Sequence, residues 1–145
     1  MQTAAIPAVL GGRDVVISAE TGSGKTIAYL APIESLLVSG PKRRGVRVLV
    51  LVPTRELALQ VAGVAEALGK STHIACAAIY GGVGFADQTK ALRGGVPIVI
   101  ATPGRLLDFL GQGWVSMRRA RFLVLDEADR MLDMGFINDV DAIVR

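Results

Sequence analysis

The stretch Ala19-Glu20-Thr21-Gly22-Ser23-Gly24-Lys25-Thr26 constrains this chain more than any other. It follows the apolar run Val15-Val16-Ile17, which predicts a strand over 14–18, and it leads into an apolar helical segment over 24–38. Strand, glycine-rich turn and helix in that order are what a phosphate-binding loop requires. Gly22 and Gly24 let backbone N–H groups turn inward with no Cβ in the way. Those donors, together with the positive end of the helix dipole, make a site for polyphosphate. Lys25 can reach the terminal phosphates, and the Thr26 hydroxyl can ligate Mg²⁺. Thr21 and Ser23 complete the loop that wraps the nucleotide. Ala19 stands where the motif has its first glycine.

Composition narrows the alternatives. A chain of 145 residues is one domain's worth, covering 1–145, and 51% hydrophobic with 5% aromatic content suits aliphatic α/β packing. A net charge of +3 permits a polyanionic partner without establishing one. Cys76 is the single cysteine and His73 the single histidine, which excludes an internal disulfide and a tetrahedral zinc site. No apolar run is long enough to span a bilayer, and Met1-Gln2-Thr3 lacks the marks of a signal peptide, so a soluble, intracellular protein is expected.

Further strands are predicted over 46–52, 73–79, 96–101 and 121–125, with helices over 3–10, 55–68, 85–92, 105–110 and from 127 onward. This alternation implies a parallel, twisted sheet with helices on both faces. The run 121–125 is almost continuously apolar and predicts a strand buried on both sides. Lys42-Arg43-Arg44 reads as a solvated loop.

That last strand ends abruptly in Asp126-Glu127. Ligands of parallel α/β sheets sit at the carboxyl ends of the strands, where the phosphate loop also lies. Asp126 is thus expected to face the phosphate-bound Mg²⁺, and Glu127 to orient and help deprotonate the water that attacks the γ-phosphate. The chain-wide expectation is that Lys25 and Glu127 converge on one triphosphate.

Asp126-Glu127-Ala128-Asp129 resembles the signature of the DEAD-box RNA helicases, and the surrounding sequence resembles that family's first RecA-like P-loop NTPase domain over essentially the whole chain. Ala19 to Thr26 resembles motif I, with Glu20 where Gln is more usual. Pro53-Thr54-Arg55-Glu56-Leu57-Ala58 is similar to motif Ia, Gly81-Gly82 to the double-glycine element, and Thr102-Pro103-Gly104-Arg105 to motif Ib. Gln2 resembles the glutamine of the Q-motif.

The resemblance implies an ATP-dependent RNA helicase using ATP and Mg²⁺. Gln2 would read the adenine edge. Pro53, Thr54, Arg55, Gly81, Gly82, Thr102, Pro103, Gly104 and Arg105 would hold RNA by phosphate and sugar, independently of sequence. Asp129 would couple ATP binding to a neighbouring motif. Family members continue to a Ser-Ala-Thr strand, inserted between the phosphate-loop strand and the strand ending in Asp126, and then to a second RecA-like domain. The resemblance therefore implies a C-terminally incomplete domain of a larger, monomeric parent, with an open gap beside residues 15–17 and weak hydrolysis on its own. A nucleotide-gated RNA clamp that unwinds nothing would show the same motifs. A P-loop kinase is the more distant rival, since Arg55, Gly82 and Arg105 occupy turns after strands.

Overall fold

A computed structural model of the chain describes residues 1–20 and 22–145. Among them, four parallel strands form one sheet: β1 (Val48–Leu51), β2 (Cys76–Ile79), β3 (Ile98–Ala101) and β4 (Phe122–Leu125), in the order β2-β3-β1-β4. Val48 pairs with Ile98 on one side and Phe122 on the other, so the strands end nearly level. The helices are α1 (Gln2–Leu10), α2 (Lys25–Ser39), α3 (Arg55–Thr72), α4 (Ala86–Arg93), α5 (Pro103–Gly111), α6 (Ala128–Asp133) and α7 (Ile137–Val144).

The period of two along the central strands divides the core. Val48, Val50, Ile98 and Ile100 face one layer, where they meet Leu30 and Ile33 of α2 and Val61 and Ala65 of α3. Leu49, Leu51, Val99 and Ala101 face the other, against Leu106 and Phe109 of α5 and Met131 of α6. Phe109 is fully buried and packs edge-on against Trp114, 5.3 Å between ring centroids. Helices thus cover both faces, as the alternating pattern predicts.

Helix α3 runs to Thr72, past its expected end at 68, so β2 begins only at Cys76, and two predicted strands depart further from the sequence expectation. Residues 14–18 form no strand: the stretch carries no ladder partner, and Val16 is 99% exposed. Nor is β4 buried on both sides. It pairs only with β1, and Leu123 and Leu125 are 48% and 42% exposed. The two departures share a cause. A strand needs hydrogen-bonding neighbours as well as apolar residues, and the edge of β4 that would face 14–18 has none.

Candidate nucleotide and nucleic-acid site

The phosphate loop is shaped by two glycines in the left-handed region, Gly22 at φ +81° and Gly24 at φ +84°. The Ser23 N–H donates to the Glu20 carbonyl across 3.2 Å, which closes the turn, and α2 starts at Lys25. Gly24 is favoured by its left-handed backbone, and its carbonyl accepts a hydrogen bond from Nε2 of Gln2 at 3.3 Å. The side chain expected to read adenine thus rests on the loop that would cradle the phosphates. Thr21 lies outside the described residues.

Ala19, Glu20, Lys25, Glu127, Asp129 and Arg130 line one concavity of about 520 Å³. Lys25 enters it from the start of α2, and Glu127 from the turn after β4. The two residues, distant in sequence, line one cleft because α2 packs on the sheet through Leu30 and Ile33 and its Tyr29 bonds Asp126, the neighbour of Glu127. Glu127 holds a left-handed backbone, φ +51°, unusual for a residue with a Cβ. Such strain costs roughly 1–3 kcal/mol and concentrates at functional positions. Arg130 pairs with the Glu127 carboxylate at 3.4 Å. Sequence reasoning overlooked Arg130, although its i,i+3 spacing from Glu127 is a legible signal.

Asp126 is buried, and its backbone N–H continues the ladder by donating to the Leu51 carbonyl at 3.0 Å. Its carboxylate accepts a 2.8 Å hydrogen bond from the Tyr29 hydroxyl. Burial first, and then the Asp126 charge, push the Tyr29 hydroxyl far above its ordinary range, while the Thr26 hydroxyl beside it acts the other way. Tyr29 therefore stays a proton donor. It is a second residue the sequence reading missed; the signal is a hydroxyl one turn beyond Lys25, on the same face of α2.

Thr26, Tyr29 and Asp126 thus bring two hydroxyls and a carboxylate together. No cluster of three or more His, Cys, Asp or Glu side chains suited to a metal occurs among the described residues. Two oxygen donors still fit Mg²⁺, which keeps several waters and takes its remaining ligands from phosphates.

The residues assigned to RNA gather at the carboxyl ends of β1, β2 and β3. Pro53 is buried, and Thr54 caps α3 by accepting from the Leu57 N–H at 3.2 Å. Arg55 is exposed, with its guanidinium 5.1 Å from the Tyr80 ring centre and next to Gly82, at φ +82°. Gly81 and Gly104 border open space. Thr102 precedes α5, which begins at Pro103.

Arg105 is placed differently from Arg55. It is only 9% exposed, donates to the Val83 carbonyl at 2.7 Å, and lies 4.2 Å from the Phe85 ring centre. Its guanidinium fastens the glycine turn to α5.

The DEAD/DEAH box helicase family profile matches residues 1–145. The chain is 47% identical to the ATP-dependent RNA helicase SrmB of Escherichia coli K12, over 99% of its own length and 33% of that protein. It superposes on the structure of a hypothetical ATP-dependent RNA helicase from Sulfolobus tokodaii with a TM-score of 0.88 and 42% identity, covering 98% of this chain and 40% of that one. It is likewise similar to the yeast DEAD-box splicing factor Prp28, with a TM-score of 0.90 and 35% identity over 98% of this chain and 35% of that one. The chain therefore spans about a third of the length of these relatives.

Proposed function

The chain belongs to the DEAD/DEAH box helicase family, and from that premise we propose that it is the ATP-binding, RecA-like part of an RNA helicase that couples ATP hydrolysis to RNA binding and local duplex unwinding. The observation that carries this reading is the shared cleft of Lys25 and Glu127. The loop N–H groups and Lys25 bind the phosphates, and Gln2 contacts the base. Thr26 and Asp126 would hold Mg²⁺, with Tyr29 fixing the orientation of the Asp126 carboxylate. When bound, the metal offsets phosphate charge. Glu127 orients the attacking water and accepts its proton, with Arg130 of α6 pairing with its carboxylate at the cleft.

Pro53, Thr54, Arg55, Gly81, Gly82, Thr102, Pro103 and Gly104 form the RNA surface. Arg55 supplies the charge-assisted contact and the glycines allow close backbone approach. Arg105 serves this surface by holding the Val83 carbonyl and Phe85 in place. Asp129, at the rim of the cleft, couples nucleotide occupancy to its neighbours. The groups that stabilise charge on the transferring phosphoryl, worth about three to five orders of magnitude in related NTPases, are assigned to the additional length of the relatives.

Titration with a fluorescent ATP analogue tests the reading. Lys25→Ala should weaken binding at least about tenfold, the equivalent of about 1.4 kcal/mol, and unaltered affinity would refute the site. Glu127→Gln should keep nucleotide affinity while hydrolysis falls by a factor of about 10² to 10⁴. RNA-stimulated turnover without strand separation would favour the clamp.

A further inference from the structure

The triplet Lys42-Arg43-Arg44 looks like ordinary solvated loop until the fold supplies its neighbours. Arg43, Arg44, Arg47, Arg118, Arg119 and Arg121, with Ala120, line a second concavity of about 710 Å³. It lies at the amino ends of two adjacent strands. Arg47 immediately precedes β1, Arg121 immediately precedes β4, and the Arg47 carbonyl accepts from the N–H groups of Arg121 and Phe122 at 2.8 and 3.2 Å. This is the end of the sheet opposite Asp126, Thr54 and Thr102, about 13 Å away for four residues of strand.

Six arginines in one concavity outnumber the net charge of the entire chain, +3, so positive charge is segregated here. Among the described residues their side chains make no ion pair and only two hydrogen bonds, both to carbonyls. Arg47 donates to Pro41 at 3.3 Å, and Arg119 donates to Arg44 at 2.9 Å. The second bond ties the 41–45 loop to the 117–121 loop, which holds the cluster in shape against its own repulsion. A surface built at that electrostatic cost is stabilised by an anion.

We propose that this concavity is a second RNA-backbone site, holding the strand beyond the segment gripped at the carboxyl ends of β1–β3. The identity of the polyanion rests on the RNA reading above. Guanidinium forks match phosphate oxygens in pairs. The lining has no aromatic group on which a base could stack, so contact is with the backbone and blind to sequence. It also has no large apolar side chain, and a protein partner needs buried apolar or aromatic anchors. Charge alone holds the ligand, which suits a phosphodiester chain better than an acidic peptide.

Binding of a fluorescein-labelled oligouridylate, titrated with salt, tests the site. The triple variant Arg43→Gln, Arg44→Gln, Arg118→Gln changes exposed side chains and spares both loop-bracing hydrogen bonds. Its log–log salt slope should fall by about 2, at about 0.7 for each phosphate no longer neutralised, with affinity at least about tenfold weaker. ATP-analogue affinity and the thermal midpoint should stay unchanged. The loss should add to that of Arg55→Ala, because the two surfaces are separate, and Lys in place of the three arginines should restore the slope.

An unchanged slope and affinity in the triple variant would overturn this site while leaving the first RNA surface standing. A wild-type protein that binds no oligouridylate would overturn the RNA assignment of both. Polyglutamate competing as effectively as RNA at equal charge would overturn the choice of ligand.

Discussion

The chemistry rests on a few side chains whose surroundings are unlike a solvated surface. Tyr29 is buried against Asp126, and hydrogen bonds to charged groups contribute about 1.5–3 kcal/mol. Tyr29→Phe should lower the stability of the chain by that amount in urea unfolding and weaken Mg²⁺-dependent nucleotide binding. Glu34 is a separate case, away from the cleft. Only 1% exposed, it accepts one hydrogen bond from Thr72 and leaves Oε1 unpartnered. Burial raises its pKa above the ordinary carboxylate range, against a lowering by Thr72. Below that range the folded and unfolded forms are both protonated. As pH rises through it, the unfolded chain ionises first, so the folded state loses stability until its own carboxyl ionises. Urea midpoints measured from mildly acidic to neutral pH should therefore fall with rising pH, and Glu34→Gln should flatten that slope. The glycine loop, Asp126 and Glu127 could be located in the sequence because backbone freedom and charge mark them in consecutive residues. Tyr29 and the inward turn of Arg105 could not, since each depends on a partner from another element, whereas the Arg130 pairing is written in the i,i+3 spacing from Glu127.

Element boundaries were predictable wherever local chemistry sets them. Thr54 caps α3 as its side chain allows, and Pro103 opens α5 two residues earlier than the apolar pattern suggests, because its fixed φ suits the first helical position. The strands were less legible. The run Phe122-Leu123-Val124-Leu125 reports an apolar need but not which neighbours meet it, and β4 stands at the sheet edge. Exposed, unpaired, apolar edges template association. Leu123→Lys together with Leu125→Lys should reduce self-association in light scattering with little change in the urea midpoint. Equal scattering by both proteins would show that this edge is not the adhesive surface.

At the scale of the molecule, one sheet with two apolar faces carries the candidate nucleotide cleft and the arginine concavity at opposite ends. Its integrity depends on packing such as that of Phe109, which is fully buried beneath Phe85 and Trp114. Phe109→Ala should cost about 3–5 kcal/mol, read as a lower urea midpoint at unchanged slope. By itself the amino-acid sequence determined the phosphate loop, the acidic pair, the α/β alternation and the family, because each is written in consecutive residues whose local geometry and charge dictate their use. Tertiary structure alone decided that 14–18 forms no strand at all, that Arg105 faces inward, and that two separate arginine runs form one concavity. Those outcomes depend on which distant segments the parallel pairing of β1 and β4 sets side by side, and no local pattern encodes a neighbour.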